Sequence, residues 1–446
     1  MKKIPAVIAM ICAFQLGCTQ ELPAKLDTLM SAYARQFKFN GSVLVEKNGT
    51  ILLDKGYGYR NAGQKVLNNE QSIFQLGSIT KQFTSAVILK LQEEGKLNVK
   101  DKLSKYFPLY PKGDSITIEQ LLTHTSGIYN YTNDGNFMAN EVTRPANREK
   151  IMALFKDKPL DFSPGTGWNY SNSGYSLLGY IIEAVTKKPY EEVVRTYIFN
   201  PLQMTHSGFD FSHLKSREKA TGYFKLNDRD SAVAPMVDSS VSFSAGAIYS
   251  TVGDLYKWHQ ALENNIILSK AQQENAYTPV KNNYGYGWGI DTIEGKRRVG
   301  HGGGIHGFTT NISRVPESDI CIVLLSNASD GSLTDITNSI FAILYNKEYQ
   351  LPKERIAIKV PEETLKQYKG EYEIKPELHV IISIKDGELL ASPTGQNPDI
   401  LYAEKEDFFF VKTENIQIEF KRNEKKEVES FILYQGGGKI TCRKIK

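Results

Sequence analysis

The sequence predicts a mixed α/β (α+β) fold, an antiparallel sheet flanked by helices plus a helical subdomain, followed by a small all-β, barrel-like domain. An early β-hairpin pattern comes first, and helical patterns then lie mainly between sets of strand-like runs. Short alternating runs fill the C-terminal part. With 446 residues, 41% of them hydrophobic, the chain is longer than one ordinary domain needs. We therefore expect two domains.

The N-terminus has the pattern of a secretory signal peptide. Two lysines precede an apolar stretch from Ile4 to Phe14 that is too short to span a bilayer. These flanks favour a signal over the alternative of a buried helix. Gly17-Cys18 also resembles a lipoprotein box, in which Cys18 would be lipidated and attach the protein to a membrane. We expect residues 1–20 to be the signal, and the protein to be exported, as a periplasmic protein or a membrane-anchored lipoprotein.

Charge and cysteine content exclude several classes of protein. The net charge is +4, from 54 basic and 50 acidic residues, and no basic run with interleaved aromatic residues suggests nucleic acid as a partner. Of four cysteines, two fall in the signal region, Cys321 sits in an apolar run as a small hydrophobe, and Cys442 is isolated. We expect no disulfide framework, no metal and no cofactor.

The first domain, residues 21–350, alternates strand and helix patterns. Two apolar runs flank Asn48-Gly49, which is a favoured hairpin turn. From Ser78 to Glu94 the apolar residues recur at helical spacing, and Gly95 is a typical helix stop. Similar patterns predict helices over 173–185 and 190–197 and strands over 241–250, 298–301 and 320–326.

Residues 363–446 differ from the preceding chain. A charged, proline-containing stretch at 351–361 leads into short runs separated by turns such as Asp386-Gly387. The spacing of about 8–12 residues is typical of small sandwiches or barrels. The runs cover 379–384, 389–392, 408–411, 416–420, 428–434 and 440–445. We expect a separate all-β domain here.

A Ser-x-x-Lys sequence at Ser78 and Lys81 is the first candidate for chemistry. Residues three apart on a helix project from the same face, so the hydroxyl and the amine come within hydrogen-bonding reach. The lysine can activate the serine only if burial or neighbouring cations favour its neutral form. The same spacing starts at Ser212 and at Ser216, so the motif alone is weak evidence.

Two later triplets single out Ser78. Signatures of penicillin-interacting enzymes place a second polar triplet after Ser-x-x-Lys, and then Lys-Thr-Gly on a strand. Tyr170-Ser171-Asn172 follows a Pro-Gly-Thr-Gly turn and precedes a helical run, unlike the similar triplets at Tyr59 and Tyr131. His301-Gly302-Gly303 follows a short strand and occupies the third position.

The chain resembles the β-lactamase-related serine hydrolases over roughly residues 25–345. That family includes class C β-lactamases, D-alanyl-D-alanine carboxypeptidases, D-amino-acid-releasing peptidases and esterases. Its successive sequence blocks correspond to residues 77–83, 121–127, 170–175, 244–250 and 301–304. The C-terminal domain resembles the lipocalin-like β-domain that follows some peptidases of this family.

The resemblance implies three catalytic residues. Ser78 would be the acylated nucleophile, Lys81 its proton partner, and Tyr170 a second acid/base near the leaving group. The reaction would be acyl transfer to water from an amide or an ester.

The resemblance also implies a set of substrate-binding residues. Asn172 would bind the substrate amide, and the backbone N–H groups of Ser78 and Gly304 would form the oxyanion hole. His301 and Gly303 belong to the third triplet, where lactamases have lysine in place of His301. Only a fraction of histidine side chains is protonated near neutral pH, so a histidine binds a substrate carboxylate more weakly than a lysine does.

Other residues have simpler explanations. His124 fits a hydrogen-bonded turn, so we leave it out of the predicted site. His301 and His306 lie in a glycine-rich loop without a carboxylate, which does not fit a zinc site. The aromatic and glycine residues of 284–289 fit pocket lining and strand packing equally well.

We therefore expect a serine hydrolase that acts on a small-molecule or peptide substrate, as a peptidase or esterase and not an efficient β-lactamase. The alternative is a non-catalytic receptor of the same fold that binds muropeptides or β-lactams. Against this alternative, binding alone does not need a complete proton relay. A structural envelope protein is a further alternative, which labelling by a serine-reactive probe would exclude.

Overall fold

The computed structural model divides the chain into two compact units. One comprises the chain up to Ala34 together with Phe39–Tyr349, and the other comprises Arg35–Lys38 and Gln350–Lys446. Residues 6–228, 230–329, 333–395, 398–412, 416–435 and 438–446 are described, with side chains from residue 21 onward. The side chains of the predicted signal peptide, including Cys18, lie outside this set, so export and lipid attachment stay predictions. No helix in the described part of the chain is long and apolar enough to cross a membrane.

The first unit contains helices on both sides of a central sheet. The helices are α1 (Ala6–Arg35), α2 (Thr80–Glu93), α3 (Ile118–Leu122), α4 (Gly135–Asn140), α5 (Arg148–Ala153), α6 (Asn172–Thr186), α7 (Tyr190–Val194), α8 (Ser239–Gly246), α9 (Val252–Glu263), α10 (Lys270–Ala276) and α11 (Leu333–Leu344). The strands are β1 (Gly41–Lys47), β2 (Thr50–Tyr57), β3 (Tyr59–Asn61), β4 (Val66–Leu67), β5 (Phe74–Gln75), β6 (Tyr223–Leu226), β7 (Ser231–Val233), β8 (Tyr249–Ser250), β9 (Gly289–Ile293), β10 (Lys296–Ile305), β11 (Phe308–Val315) and β12 (Ile320–Ser326).

The central sheet is antiparallel, with strand order β2-β1-β12-β11-β10-β9. The predicted hairpin is confirmed as β1 and β2, and Asn48 and Gly49 both have positive φ in its turn. Strand β12 is buried along its whole length because alternate residues face two different cores. Cys321 and Val323 join the core that includes α2, α6 and α9, whereas Ile322 joins the core that includes α1 and α11.

One predicted element is wrong. The strand expected over 241–250 is mostly the helix α8, and only β8 at its end is extended. The Asp238 side chain accepts a hydrogen bond from a backbone N–H of the first turn, which favours a helix start. A Cβ atom on Gly179 of α6 would lie 2.2 Å from Ser244 Oγ. This close packing of small residues between helices overrides the strand-like pattern of the sequence.

The second unit is a closed barrel preceded by one helix. That helix is α12 (Glu362–Tyr368), and the strands are β13 (Gly370–Lys375), β14 (Leu378–Lys385), β15 (Glu388–Pro393), β16 (Asp399–Lys405), β17 (Phe408–Phe410), β18 (Gln417–Arg422), β19 (Val428–Gln435) and β20 (Gly438–Lys444). Each strand pairs with the next, and β13 with β20, so the barrel closes. Buried aromatic rings pack on one another inside it: Tyr368, Tyr372, Phe409, Phe420 and Phe431. The all-β, barrel-like prediction is confirmed.

A buried arginine connects the sheet to two helices of the first unit. Arg314 of β11 is 1% exposed, and its Nε donates to His259 Nδ1 at 2.8 Å. Its other guanidinium nitrogens donate to the Tyr277 hydroxyl at 3.0 Å and to the Glu263 carboxylate. Because Nδ1 accepts this hydrogen bond, the neutral imidazole carries its proton on Nε2, 3.1 Å from a Glu46 carboxylate oxygen.

Protonation of His259 is unfavourable in this surrounding. Burial, followed by the charge of Arg314, lowers the pKa of His259 to about 3, so the ring is neutral at physiological pH. Glu46, His259 and Asp319 are close enough together to hold a cation. However, the lone pair on Nδ1 is already used and Nε2 carries a proton, so this arrangement fits a structural hydrogen-bond network.

Removing the guanidinium should destabilise the first unit strongly. Arg314→Met leaves Glu263 and His259 without their partner, and breaking a buried ion pair costs about 3–5 kcal/mol. Urea unfolding followed by tryptophan fluorescence measures this, since Trp168, Trp258 and Trp288 all lie in the first unit.

Lys188→Met is the matched control, because it removes the exposed ion pair with Glu192. We expect this control to cost less than about 1 kcal/mol. Equal destabilisation by the two variants would contradict the importance of the buried network.

Candidate active site

Ser78 lies in a single turn of 3-10 helix, Gly77–Ile79, that leads directly into α2. Lys81 follows in the first turn of α2 and is fully buried. Its Nζ lies 3.0 Å from Ser78 Oγ, 2.8 Å from Asn172 Oδ1 and 2.8 Å from the Ala245 carbonyl oxygen. The structure thus brings together the serine and lysine of the Ser-x-x-Lys motif, with Ser78 half-buried.

The contacts of Lys81 define the direction of its hydrogen bonds. Burial lowers the pKa of Lys81 well below its usual value, which favours the neutral amine. A neutral amine has two N–H donors and one lone pair. The carbonyl oxygens of Asn172 and Ala245 can only accept, so they take the two donors. The lone pair of Lys81 is then left for the hydroxyl proton of Ser78.

Asn172 is the first residue of α6, which Ser171 caps by accepting from a backbone N–H. Its Nδ2 donates to Thr132 Oγ1 at 3.2 Å, and its backbone N–H donates to Asn130 Oδ1 at 3.0 Å. These bonds fix the side-chain oxygen towards Lys81. The resemblance implied a contact with the substrate amide, and the structure adds a bond to the lysine amine.

Tyr170 lies against the same lysine. Lys81 Nζ is 4.8 Å from the centre of its ring. The hydroxyl is buried and makes no hydrogen bond of normal geometry with the described residues. Burial raises the pKa of Tyr170, while an interaction with Ser78 opposes this rise. The phenol is therefore protonated at neutral pH, close to the candidate nucleophile.

His301 of β10 is a neutral imidazole whose ring centre lies 6.3 Å from that of Tyr170. Its Nδ1 is 2.5 Å from the Gly302 carbonyl oxygen and must therefore carry the proton, so Nε2 accepts from the Tyr284 hydroxyl at 2.8 Å. Burial, together with the nearby amine of Lys81, lowers the pKa of His301 to about 4. At neutral pH this position supplies no cation.

The glycines beside His301 let the backbone of β10 approach Ser78. Gly77 has φ +56°, and a Cβ atom there would lie 3.0 Å from the backbone N of Gly304. A Cβ on Gly303 would lie 1.9 Å from the Leu76 carbonyl oxygen, whereas one on Gly304 would meet nothing within 4 Å. Gly303 is thus explained by close packing, and the Gly304 backbone lies next to the turn that carries Ser78.

A pocket opens at Ser78, Asn172 and Gly304. Its walls include the side chains of Met138, Val142, Val237, Val241, Ala245 and Ile305. His306 also lines it, and burial lowers the pKa of this half-buried histidine, which favours the neutral ring. No lysine, arginine, aspartate or glutamate is among the described lining residues. The pocket therefore suits an uncharged, largely apolar group.

Sequence reasoning missed two residues that pack around this site. His124 stacks on Tyr170 with ring centres 4.2 Å apart, and Tyr284 packs on His124 at 4.8 Å. Both residues were noted in the sequence, and the block at 121–127 was the signal that could have identified His124. The other serines with Ser-x-x-Lys spacing have local partners, because Ser212 Oγ donates to Asp210 and Ser216 Oγ accepts from a backbone N–H.

Comparisons with known proteins establish the family. The Beta-lactamase family model matches residues 26–346, and a family described as Domain of unknown function (DUF3471) matches residues 354–441. Penicillin-binding protein 4* of Bacillus subtilis is 30% identical over 440 residues, which cover 92% of this chain and 96% of that protein. The chain therefore belongs to the β-lactamase family of serine hydrolases.

Solved structures agree with this assignment. The octameric penicillin-binding protein homologue from Pyrococcus abyssi has a TM-score of 0.65 and 27% identity, covering 94% of this chain and 99% of that one. A D-stereospecific amidohydrolase from Streptomyces sp. has a TM-score of 0.59 and 26% identity, covering 70% of this chain and 94% of that one.

Proposed function

We propose that the protein hydrolyses amides or esters through an acyl intermediate on Ser78. The observation that carries this proposal is the fully buried Lys81 amine, whose Nζ lies 3.0 Å from the Ser78 hydroxyl and whose pKa burial lowers well below its usual value. A nucleophile next to an unprotonated base is the arrangement that acyl transfer needs. A receptor that only binds its ligand has no use for it.

In the first step Ser78 Oγ attacks the substrate carbonyl while Lys81 takes the hydroxyl proton. The backbone N–H groups of Ser78 and Gly304 stabilise the negative charge that forms on the carbonyl oxygen. The transient ammonium of Lys81 keeps its hydrogen bonds to the carbonyl oxygens of Asn172 and Ala245. The side chains around it therefore do not have to rearrange when it forms.

To complete the acylation of Ser78, a proton is transferred to the leaving group. Tyr170 lies against Lys81, and its protonated hydroxyl donates to the leaving nitrogen or oxygen as the tetrahedral intermediate collapses. Lys81 returns a proton to Tyr170. Water then attacks the acyl-Ser78 ester and loses a proton to the same relay, and the relay returns that proton to Ser78 Oγ as the bond between Oγ and the acyl carbon breaks and the acid product leaves.

The pocket supports substrates with an apolar group beside the scissile bond. Its walls carry aliphatic side chains and His306, which is uncharged at neutral pH, while His301 lines a different cavity together with Gly303 and is also uncharged. A free carboxylate on the substrate therefore meets no cationic side chain among the described lining residues of the pocket. We propose esters and short peptides or amides, including those of D-amino acids, as substrates in preference to β-lactams. The similarity to a D-stereospecific amidohydrolase supports this choice.

Removing either member of the central pair should abolish turnover. We expect Ser78→Ala and Lys81→Ala each to lower kcat on p-nitrophenyl butyrate and on D-phenylalanine amide by more than about a thousandfold, because the two act as a unit. Mass spectrometry after treatment with a fluorophosphonate should place the label on Ser78.

Ser212→Ala and Lys215→Ala provide the matched controls, since they have the same spacing in a surface segment. Both should keep the activity of the parent. An active Ser78→Ala protein, or a label on Ser212 or Ser216, would contradict the proposal.

A cation at position 301 should change the choice of substrate. In the parent, kcat/KM for a cephalosporin relative to the ester should stay constant between about pH 6 and pH 8, because His301 is protonated only near pH 4. His301→Lys supplies a charge-assisted contact of about 1.5–3 kcal/mol and should raise that ratio by roughly tenfold or more.

Two results would contradict this account of position 301. One is a cephalosporin efficiency in the parent that equals or exceeds the best ester or amide. The other is a ratio that His301→Lys leaves unchanged while Ser78 is still labelled at the parent rate.

A further inference from the structure

His124 accepts hydrogen bonds from the backbone on both sides of Tyr170. The backbone N–H of Asn169 donates to the His124 carbonyl oxygen at 3.0 Å, and the backbone N–H of Ser171 donates to His124 Nδ1 at 3.1 Å. These donors are the residues immediately before and after Tyr170. His124 therefore fixes the backbone on both sides of the tyrosine, once with its own backbone and once with its side chain.

The imidazole is itself held in one orientation. His124 is 1% exposed and has φ 60°, and its ring packs between Tyr170 at 4.2 Å and Tyr175 at 5.2 Å. Because Nδ1 accepts the bond from Ser171, the proton of the neutral ring lies on Nε2. Nε2 is buried and has no partner among the described residues. The ring thus has no free lone pair with which to act as a base.

Tyr170 needs such support because its hydroxyl interacts with Ser78 without a hydrogen bond of normal geometry among the described residues. Residues 164–171 also form no helix or strand. The next regular element, α6, begins only at Asn172. The position of the phenol relative to Ser78 therefore depends on the backbone of Tyr170 and on the rings packed against it.

We propose that His124 is a positioning residue for Tyr170, with its Nδ1 atom holding the backbone that keeps the phenol at the distance from Ser78 that proton transfer requires. This inference rests on the proposed function, since it assigns Tyr170 a proton to transfer. His124 is not among the described residues that line the pocket at Ser78, and the two hydrogen bonds it accepts come from the residues on either side of Tyr170, so we assign its effect on catalysis to Tyr170.

Two variants of His124 distinguish the contribution of the acceptor atom Nδ1 from that of the aromatic ring. His124→Asn keeps an acceptor near the Nδ1 position, and asparagine tolerates the left-handed backbone. His124→Phe keeps a ring and removes the acceptor. We expect the asparagine variant to keep kcat on D-phenylalanine amide, whose leaving nitrogen needs a proton, within about fivefold of the parent. The phenylalanine variant should lose about a hundredfold in kcat with little change in KM.

A double-mutant cycle tests whether the effect passes through Tyr170. In a Tyr170→Phe background, which has already lost the hydroxyl, His124→Phe should lower kcat by less than about threefold. A loss of general stability would instead add its full effect in both backgrounds. Thermal unfolding of each variant is measured in parallel, and His124→Gly, which permits the left-handed backbone, replaces His124→Phe if that protein does not fold.

The outcomes separate this inference from the proposed function. An active Ser78→Ala protein overturns the proposed function. If Ser78→Ala is inactive, full kcat in a folded His124→Phe protein overturns the inference alone. So does an undiminished effect of His124→Phe in the Tyr170→Phe background, or a His124→Asn protein as impaired as His124→Phe.

Discussion

The first unit is organised around a lysine amine that has no charged partner among the described residues. Lys81 is fully buried, and its amine lies against a hydroxyl, two carbonyl oxygens and the faces of two tyrosine rings. An isolated ammonium in such surroundings is unfavourable, so burial lowers the pKa of Lys81 and favours the neutral amine. The neutral form leaves one lone pair, which is directed at Ser78. The proposed chemistry follows from this burial.

Three helices contribute the groups that surround the Lys81 amine. Lys81 comes from α2, Asn172 from the start of α6, and the Ala245 carbonyl from α8. Within α8, Phe243 departs from helical geometry with φ 37° and ψ −131°. After this kink the next two carbonyl oxygens point at α2, where Thr84 Oγ1 and Lys81 Nζ donate to them. Strain at one residue is thus coupled to the orientation of the base.

The sequence was sufficient to predict those features that depend on local pattern. The hairpin at Asn48, the start of α2 near Ser78 and six of the eight described barrel strands were predicted, because turn preferences and hydrophobic periodicity determine them, whereas β13 and β16 were missed. The order of the triplets then selected Ser78 and Tyr170 from several similar motifs. The family model and the relatives confirm the family that this order indicated.

The rest depends on contacts between distant segments. The predicted strand over 241–250 was wrong because the kink at Phe243 and the packing of Ser244 against Gly179 are properties of the assembled helices. His124 fitted a simple turn in the sequence, and its place between Tyr170 and Tyr284 appears only in three dimensions. The low pKa of His301 likewise follows from burial beside Lys81, which a triplet of residues does not reveal.

The protonation state of Lys81 is the most direct test of this account. In protein labelled with ¹³Cε-lysine, the Lys81 resonance is identified by its absence from Lys81→Ala, and its chemical shift is followed as the pH rises from about 6 to about 11. Since burial favours the neutral amine, we expect Lys81 to lose its proton at a pH well below 10.5, the ordinary pKa of a lysine. A Lys81 resonance that titrates at 10.5 or above would contradict the central claim that the buried amine is the base for Ser78.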